Sequence, residues 1–264
     1  MSPFFLIPWV SSGLCPPRCG DRSPGPSPEV KGQHLSGRNY YVMSYYSLTF
    51  ANLGELTPRP IPIIRVEPGE RRAPRRALET LRNGRILVYP TDTVYGVGCR
   101  IDNEAAVRRI YELKGRATNE PLPVLLADPA QMDEYGTNIT PGARRLAALY
   151  WPGALTIIVR RSSRVPALVA GGGDTIGLRV PGHAVPRALI RELGIPIVGT
   201  SANTHGAPPP VTAQQAVFDL GDRVDLVLDG GRCPLGREST VVDATGDPPR
   251  LVRQGPLALR DAAA

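Results

Sequence analysis

Residues 83–96 read Asn-Gly-Arg-Ile-Leu-Val-Tyr-Pro-Thr-Asp-Thr-Val-Tyr-Gly, and this stretch decides the fold class. Asn83-Gly84 is a helix stop, because glycine takes the left-handed conformation that ends a helix at little cost. Arg85 to Tyr89 carries Ile, Leu, Val and Tyr in succession and reads as a strand. The loop Pro90–Gly96 follows directly and sets two hydroxyls, a carboxylate and a phenol at the strand's carboxyl end. In open α/β sheets that is where ligands bind. A helix end, a strand and a polar loop within fourteen residues therefore predict an α/β unit carrying a candidate site.

The same alternation continues on both sides. Upstream, residues 70–82 put Ala73, Ala77, Leu78 and Leu81 on one helical face. Downstream, Asn103 caps a helix with Val107, Ile110 and Tyr111 on one stripe and Gly115 as its stop. Strands are predicted at 122–127, 155–159, 175–180, 195–199, 224–228, 240–243 and 250–253. Thr140-Pro141 opens a helix that Trp151-Pro152-Gly153 closes, and Val185, Leu189, Ile190 and Leu193 mark another. Thr212 with Gln215 forms a capping box for one more. This order predicts one α/β domain with a twisted, mixed parallel/antiparallel open sheet flanked by helices.

At 264 residues, 42% hydrophobic and 21% charged, the composition excludes a wholly disordered or collagen-like chain. The densest apolar run, Phe4 to Val10, is far short of the ~20 residues needed to cross a bilayer, so no membrane partner is expected. Cys15, Cys19, Cys99 and Cys233 are too scattered for a disulfide framework, which points to the cytoplasm. Cys15 and Cys19, with His34 nearby, fall short of the four ligands of a structural zinc site, and no metal ligands are assigned. Residues 1–60 hold nine Pro, six Gly and eight Ser without periodicity and are expected to be an unstructured extension, with Met43 as an alternative start. The opening segment lacks the basic region that begins a secretory signal. The domain is expected over 61–258, with a short tail at 259–264.

A net charge of +7 suits a polyanionic partner such as a nucleotide or RNA. The basic residues are 29 Arg and only two Lys, Lys31 and Lys114, so a lysine inside the domain is conspicuous. No Walker-type phosphate loop and no G-x-S-x-G occur, and His183 and His205 read as solvated loop residues. Three elements remain: Pro90–Gly96, the pair Lys114 and Arg116 leaving a helix end, and Ser201-Ala202-Asn203 after a strand. Each alone also reads as an ordinary turn or helix-end charge pair.

In this order, and with Glu238-Ser-Thr-Val241 and Arg253-Gln-Gly255, they resemble the YrdC family of threonylcarbamoyl-adenylate synthases of the bacterial TsaC type, over roughly residues 65–256. Trp151-Pro-Gly153 and Asp229-Gly-Gly231 match as well. The resemblance implies a nucleotidyltransferase that forms threonylcarbamoyl-AMP and pyrophosphate from L-threonine, bicarbonate and ATP, with Mg²⁺ on the nucleotide. Its product would feed tRNA threonylcarbamoyladenosine formation, with tRNA and downstream transfer proteins as partners. It implies that Lys114, Arg116, Ser201 and Asn203 are catalytic. Thr93, Arg179 and Ser239 would contact threonine or its carbamate, while Lys114, Arg116, Thr175, Ser201, Asn203 and Arg253 would bind ATP. Leu125 stands where many relatives carry His, Pro209 where they carry Ser, and Asp92 replaces a commoner Glu. Two other readings share the resemblance: a YciO-type paralogue with another substrate, and a double-stranded RNA or tRNA-binding module without this activity.

Overall fold

The computed structural model describes residues 61–67 and 69–259. The predicted extension over 1–60, with Met43 and the Cys15/Cys19 pair, lies outside the described residues, as does the tail from 260 onward. In chain order the elements are β1 (Ile63–Arg65), α1 (Arg75–Arg82), β2 (Leu87–Tyr89), β3 (Gly96–Gly98), α2 (Glu104–Lys114), β4 (Val124–Leu125) and α3 (Met132–Tyr135). Next come β5 (Gly136–Thr137), α4 (Pro141–Tyr150), β6 (Leu155–Arg161), β7 (Thr175–Arg179), α5 (Ala184–Leu193) and β8 (Ile197–Val198). The chain finishes with β9 (Thr200–Ser201), α6 (Ala213–Leu220), β10 (Leu226–Asp229), β11 (Thr240–Asp243) and β12 (Arg250–Arg253).

The helix ends follow side-chain chemistry. Asn103 accepts a hydrogen bond from the Ala106 N–H at the start of α2, and Gly115 closes that helix at φ +60°. Thr140 caps α4 with Pro141 behind it, and Thr212 and Gln215 form the predicted capping box of α6. Helix α1 starts at Arg75, five residues later than predicted from residue 70. Pro74 is its N-cap, and the residue before a proline is sterically driven out of the helical region, so Ala73 is buried but not helical.

Strand pairing is mixed, as predicted, and is divided between two sheets. The first runs β1-β10-β2-β3-β9, with β1, β10 and β2 parallel and β3 and β9 antiparallel to their neighbours. The second runs β12-β11-β6-β7-β4-β8, with β5 added beside β6. The division falls at Gly199, between β8 of the second sheet and β9 of the first. A Cβ on Gly199 would stand 2.4 Å from the Leu125 side chain, so only glycine lets the chain step between the sheets there.

Two hydrophobic clusters fill the interior, one around Ile110, Leu155 and Val198, the other joining α1, α5 and β10 through Leu81, Leu189 and Leu228. Cys99 and Cys233 are free and buried, and burial pushes their thiols up to about 12 and about 11. Among the described residues no helix is long and apolar enough to cross a membrane.

Candidate active site

A cleft of about 570 Å³ is walled by both sheets and by the end of α2. Register explains how distant motifs meet in it. Gly96 of β3 lies opposite Ser201 of β9, which sets Ser201 beside the loop ending at Gly96. Leu125 pairs with Arg179, Thr156 with Val241, and Val241 with Arg253, which lines the other wall from the second sheet. All nine residues singled out from the sequence, Thr93, Lys114, Arg116, Thr175, Arg179, Ser201, Asn203, Ser239 and Arg253, line this one cleft.

Lys114 does not project from a loop, as its position at a helix end had suggested. It is the last residue of α2 and only 4% exposed. Its ammonium donates to Ser201 O at 2.7 Å and to Asn203 Oδ1 at 3.1 Å, with Ser201 Oγ at 3.4 Å. Burial lowers its pKa from 10.5 to about 8, and Arg116 lowers it further while Glu238 and Asp219 oppose the shift. The lysine is therefore mostly cationic at pH 7. The Asn203 amide is fixed from behind, since Nδ2 donates to Thr204 O at 3.0 Å and Ala207 O at 2.6 Å. Arg116 leans on Glu120 through Nε at 2.6 Å.

Across the cleft, Arg179 is 7% exposed and fully engaged: Nε donates to Gly153 O at 3.0 Å, Nη1 to Thr93 Oγ1 at 2.9 Å and Nη2 to Asp92 Oδ1 at 2.6 Å. Burial pushes the guanidinium down and Asp92 holds it up. The same carboxylate oxygen accepts the Gly182 N–H at 3.0 Å, so the shorter Asp92 reaches Arg179 with help from a backbone donor. Thr91 Oγ1 organises the loop, accepting from Thr93 N and Val94 N and donating to Val94 O. Ser239 Oγ meets Thr156 Oγ1 at 2.8 Å, and Arg253 holds Ser239 O at 3.0 Å and Glu238 Oε2 at 3.0 Å. The cleft thus gathers the Lys114 and Arg116 cations with the Thr93 and Ser239 hydroxyls and the paired guanidiniums of Arg179 and Arg253.

Leu125 and Pro209 both line the cleft, so an apolar wall stands where a His and a Ser had been the family pattern. His183 is not a solvated loop residue. It is half-buried as the N-cap of α5, its Nδ1 accepting from Val185 N at 3.2 Å, and burial lowers its pKa. His205 stays exposed at the rim. Sequence reasoning missed Thr156, Glu120 and Asp219. Glu120 had a local signal, its i, i+4 spacing from Arg116, whereas Thr156 had none.

A family model for Sua5, YciO and YrdC, described as "Telomere recombination", matches residues 79–255. Threonylcarbamoyl-AMP synthase of Pyrococcus abyssi is 39% identical over 181 residues, which is 69% of this chain and 53% of the relative. The crystal structure of P. abyssi Sua5 complexed with L-threonine superimposes with a TM-score of 0.67 at 36% identity, covering 73% of this chain and 57% of that one. E. coli YciO superimposes with a TM-score of 0.67 at 29% identity, covering 74% and 96%. The chain spans about half the length of the first curated relatives it matches.

Proposed function

Because the chain belongs to the Sua5/YciO/YrdC family, we propose that it is an L-threonylcarbamoyladenylate synthase, a nucleotidyltransferase that joins L-threonine, bicarbonate and ATP. The observation that carries this reading is the Lys114 ammonium, buried and held by Ser201 and Asn203, in one cleft with Arg116, Thr93, Arg179 and Ser239. The threonine amine and bicarbonate condense to a carbamate with loss of water. A carbamate oxygen then attacks the α-phosphorus of ATP, forming a new O–P bond while the bond to the β-phosphate oxygen breaks and pyrophosphate leaves. The carbamate is already anionic, so no strong general base is required, and the scarcity of histidine in the cleft is no obstacle. Catalysis then rests on positioning and on neutralising charge over the phosphate oxygens, which Lys114 and Arg116 supply.

In this reading Thr93, Arg179 and Ser239 hold threonine and its carbamate, and Thr175, Ser201, Asn203 and Arg253 run along the nucleotide. L-threonine in the crystals of the P. abyssi relative supports the choice of amino acid. Mg²⁺ fits as a companion of the triphosphate rather than a resident of the protein. Glu238 is the one carboxylate among the described cleft-lining residues, it is paired with Arg253, and Mg²⁺ readily keeps phosphate and water ligands. The product, an anhydride of a carbamate with AMP, suits consumption by acyl transfer to a tRNA adenosine, for which tRNA and a downstream transfer protein would be the partners. The cytoplasm is the proposed location.

The test is pyrophosphate release from ATP without tRNA, expected only when threonine and bicarbonate are both present. Equal turnover without threonine would favour the YciO-type reading, and RNA binding with no pyrophosphate release under any condition the RNA-binding one. Amino-acid selectivity adds a second expectation. Serine, lacking one methyl, should react at a disadvantage of about 1–3 kcal/mol, while valine, lacking the hydroxyl, should be rejected more strongly because pocket donors stay unpaired. Valine turning over as well as threonine would remove the proposed pocket. A third follows from Lys114: the affinity for ATP, measured by calorimetry, should fall as pH rises through about 8, where the lysine loses its charge. An affinity level from pH 7 to 9 would detach Lys114 from the phosphates.

A further inference from the structure

We propose that Asp219, which lies on α6 and is not among the cleft-lining residues, is a positioning residue for Lys114 in the reaction assigned above. Its setting is unfavourable for helix stability. A carboxylate in the last turn of a helix faces the negative end of the macrodipole, so Asp219 gains nothing from its own helix. Its oxygens are turned instead to a single residue: Oδ2 accepts the Thr204 N–H at 2.8 Å and Oδ1 the Thr204 hydroxyl at 2.9 Å. Two charge-assisted bonds to one residue fix both its backbone and its rotamer.

From Thr204 the constraint passes directly to the cation. Thr204 O accepts from Asn203 Nδ2 at 3.0 Å, which leaves Asn203 Oδ1 turned to the Lys114 ammonium. The next residue closes the loop on the same helix end, since His205 N donates to Lys114 O at 2.9 Å. Arg223, just beyond α6, donates to Leu113 O at 3.1 Å and to Asp219 O at 2.9 Å, tying the ends of α6 and α2 together. Beside its bond to Ser201 O on β9, Lys114 is thus framed by contacts through Asn203, His205 and Leu113 that lead to the end of α6. The charged groups acting on its ammonium come from three segments: Glu238 before β11, Arg116 in the loop after α2, and Asp219 on α6. Both carboxylates favour the cation and Arg116 disfavours it. Loss of the Asp219 charge therefore makes Lys114 easier to deprotonate, and loss of its hydrogen bonds loosens Asn203.

The chain holds only two lysines, so protein labelled with ¹³Cε-lysine gives two side-chain signals, Lys31 and Lys114, and each can be titrated. In Asp219→Asn the Lys114 midpoint is expected to fall below that of the unsubstituted protein. The value of kcat/KM for ATP should fall about tenfold at pH 8, with the alkaline limb of the rate profile moving to lower pH in step. Asp222→Asn, an exposed acid one turn on, should move neither. Thr204→Val, which removes one Asp219 hydrogen bond and no charge, serves if Asp219→Asn does not fold. It should cut kcat/KM severalfold and broaden or shift the Lys114 signal. An unchanged Lys114 titration in folded Asp219→Asn overturns the proposal whatever the activity. A shifted Lys114 midpoint in Asp219→Asn, with no pyrophosphate formed by the unsubstituted chain, would keep the positioning role and remove the synthase reading.

Discussion

Lys114→Ala is expected to lower kcat/KM for pyrophosphate formation by about 100–1,000-fold, the usual effect of deleting a preorganised group aimed at developing charge. The loss is large because Lys114 is only 4% exposed, and water cannot fully replace its ammonium. The deletion also takes the Lys114 donor from Asn203 Oδ1 and one of two donors from Ser201 O, which keeps the Asn203 N–H. Lys114→Arg, which keeps the charge, should still lose at least about tenfold, or roughly 1.4 kcal/mol of transition-state stabilisation. A compact ammonium fits between a carbonyl and an amide oxygen, whereas a planar guanidinium presents a broad fork to the same slot. The measurement is pyrophosphate release at subsaturating ATP, with circular dichroism to verify the fold. Wild-type rates in Lys114→Arg would mean that any cation suffices.

Arg179→Ala should remove a proposed threonine contact and destabilise the protein together. Arg179 and Asp92 form an ion pair with side chains only 8% and 13% exposed, and breaking such a pair from one side typically costs about 3–5 kcal/mol because the remaining charge is left buried. Gly153 O loses its Arg179 donor too, and Thr93 Oγ1 is left with Thr91 Oγ1 alone. Guanidinium denaturation should show this as a lowered midpoint. Asp92→Asn combined with Arg179→Met should recover part of the stability lost in Arg179→Met alone, since no uncompensated charge remains. It should recover none of the activity. Equal midpoints for the single and double variants would show that burial of Asp92 is not the source of the cost.

What the sequence reveals depends on whether a signal is local. The caps at Asn103, Thr140 and Thr212 are legible because the donor and acceptor lie three residues apart. The cleft residues are legible because their motifs are short and ordered. Strand β3 is invisible because two of its three residues are glycine, the type least expected in a strand. The packing explains them: a Cβ on Gly98 would stand 1.9 Å from Val198 O, and one on Gly96 2.7 Å from the Tyr89 ring. Strand β1, three residues in a proline-rich surround, carries too little pattern to register. The burial of Lys114 depends on Ser201 and Asn203, 87 and 89 residues away, and no window centred on the helix end contains them. His183 escapes for a different reason, because imidazole is not among the side chains ordinarily expected to cap a helix.

The step at Gly199 lies on a seam between the two sheets, crossed also by the Arg100–Ile197 bridge and by the Arg179 bonds to Asp92 and Thr93. Thr93 and Ser201 lie on the first-sheet side of the cleft, and Thr175, Arg179 and Arg253 on the other. A ligand long enough to touch both groups therefore acts as a clasp across the seam. Slow amide deuteration should spread outward from it on binding, first at Val198, whose N–H bonds to Cys99 O, and at Gly199, whose N–H bonds to Pro123 O. A short ligand confined to one wall would leave those amides exchanging at the rate of the empty protein, so deuterium uptake at two residues measures how far along the cleft a bound molecule reaches.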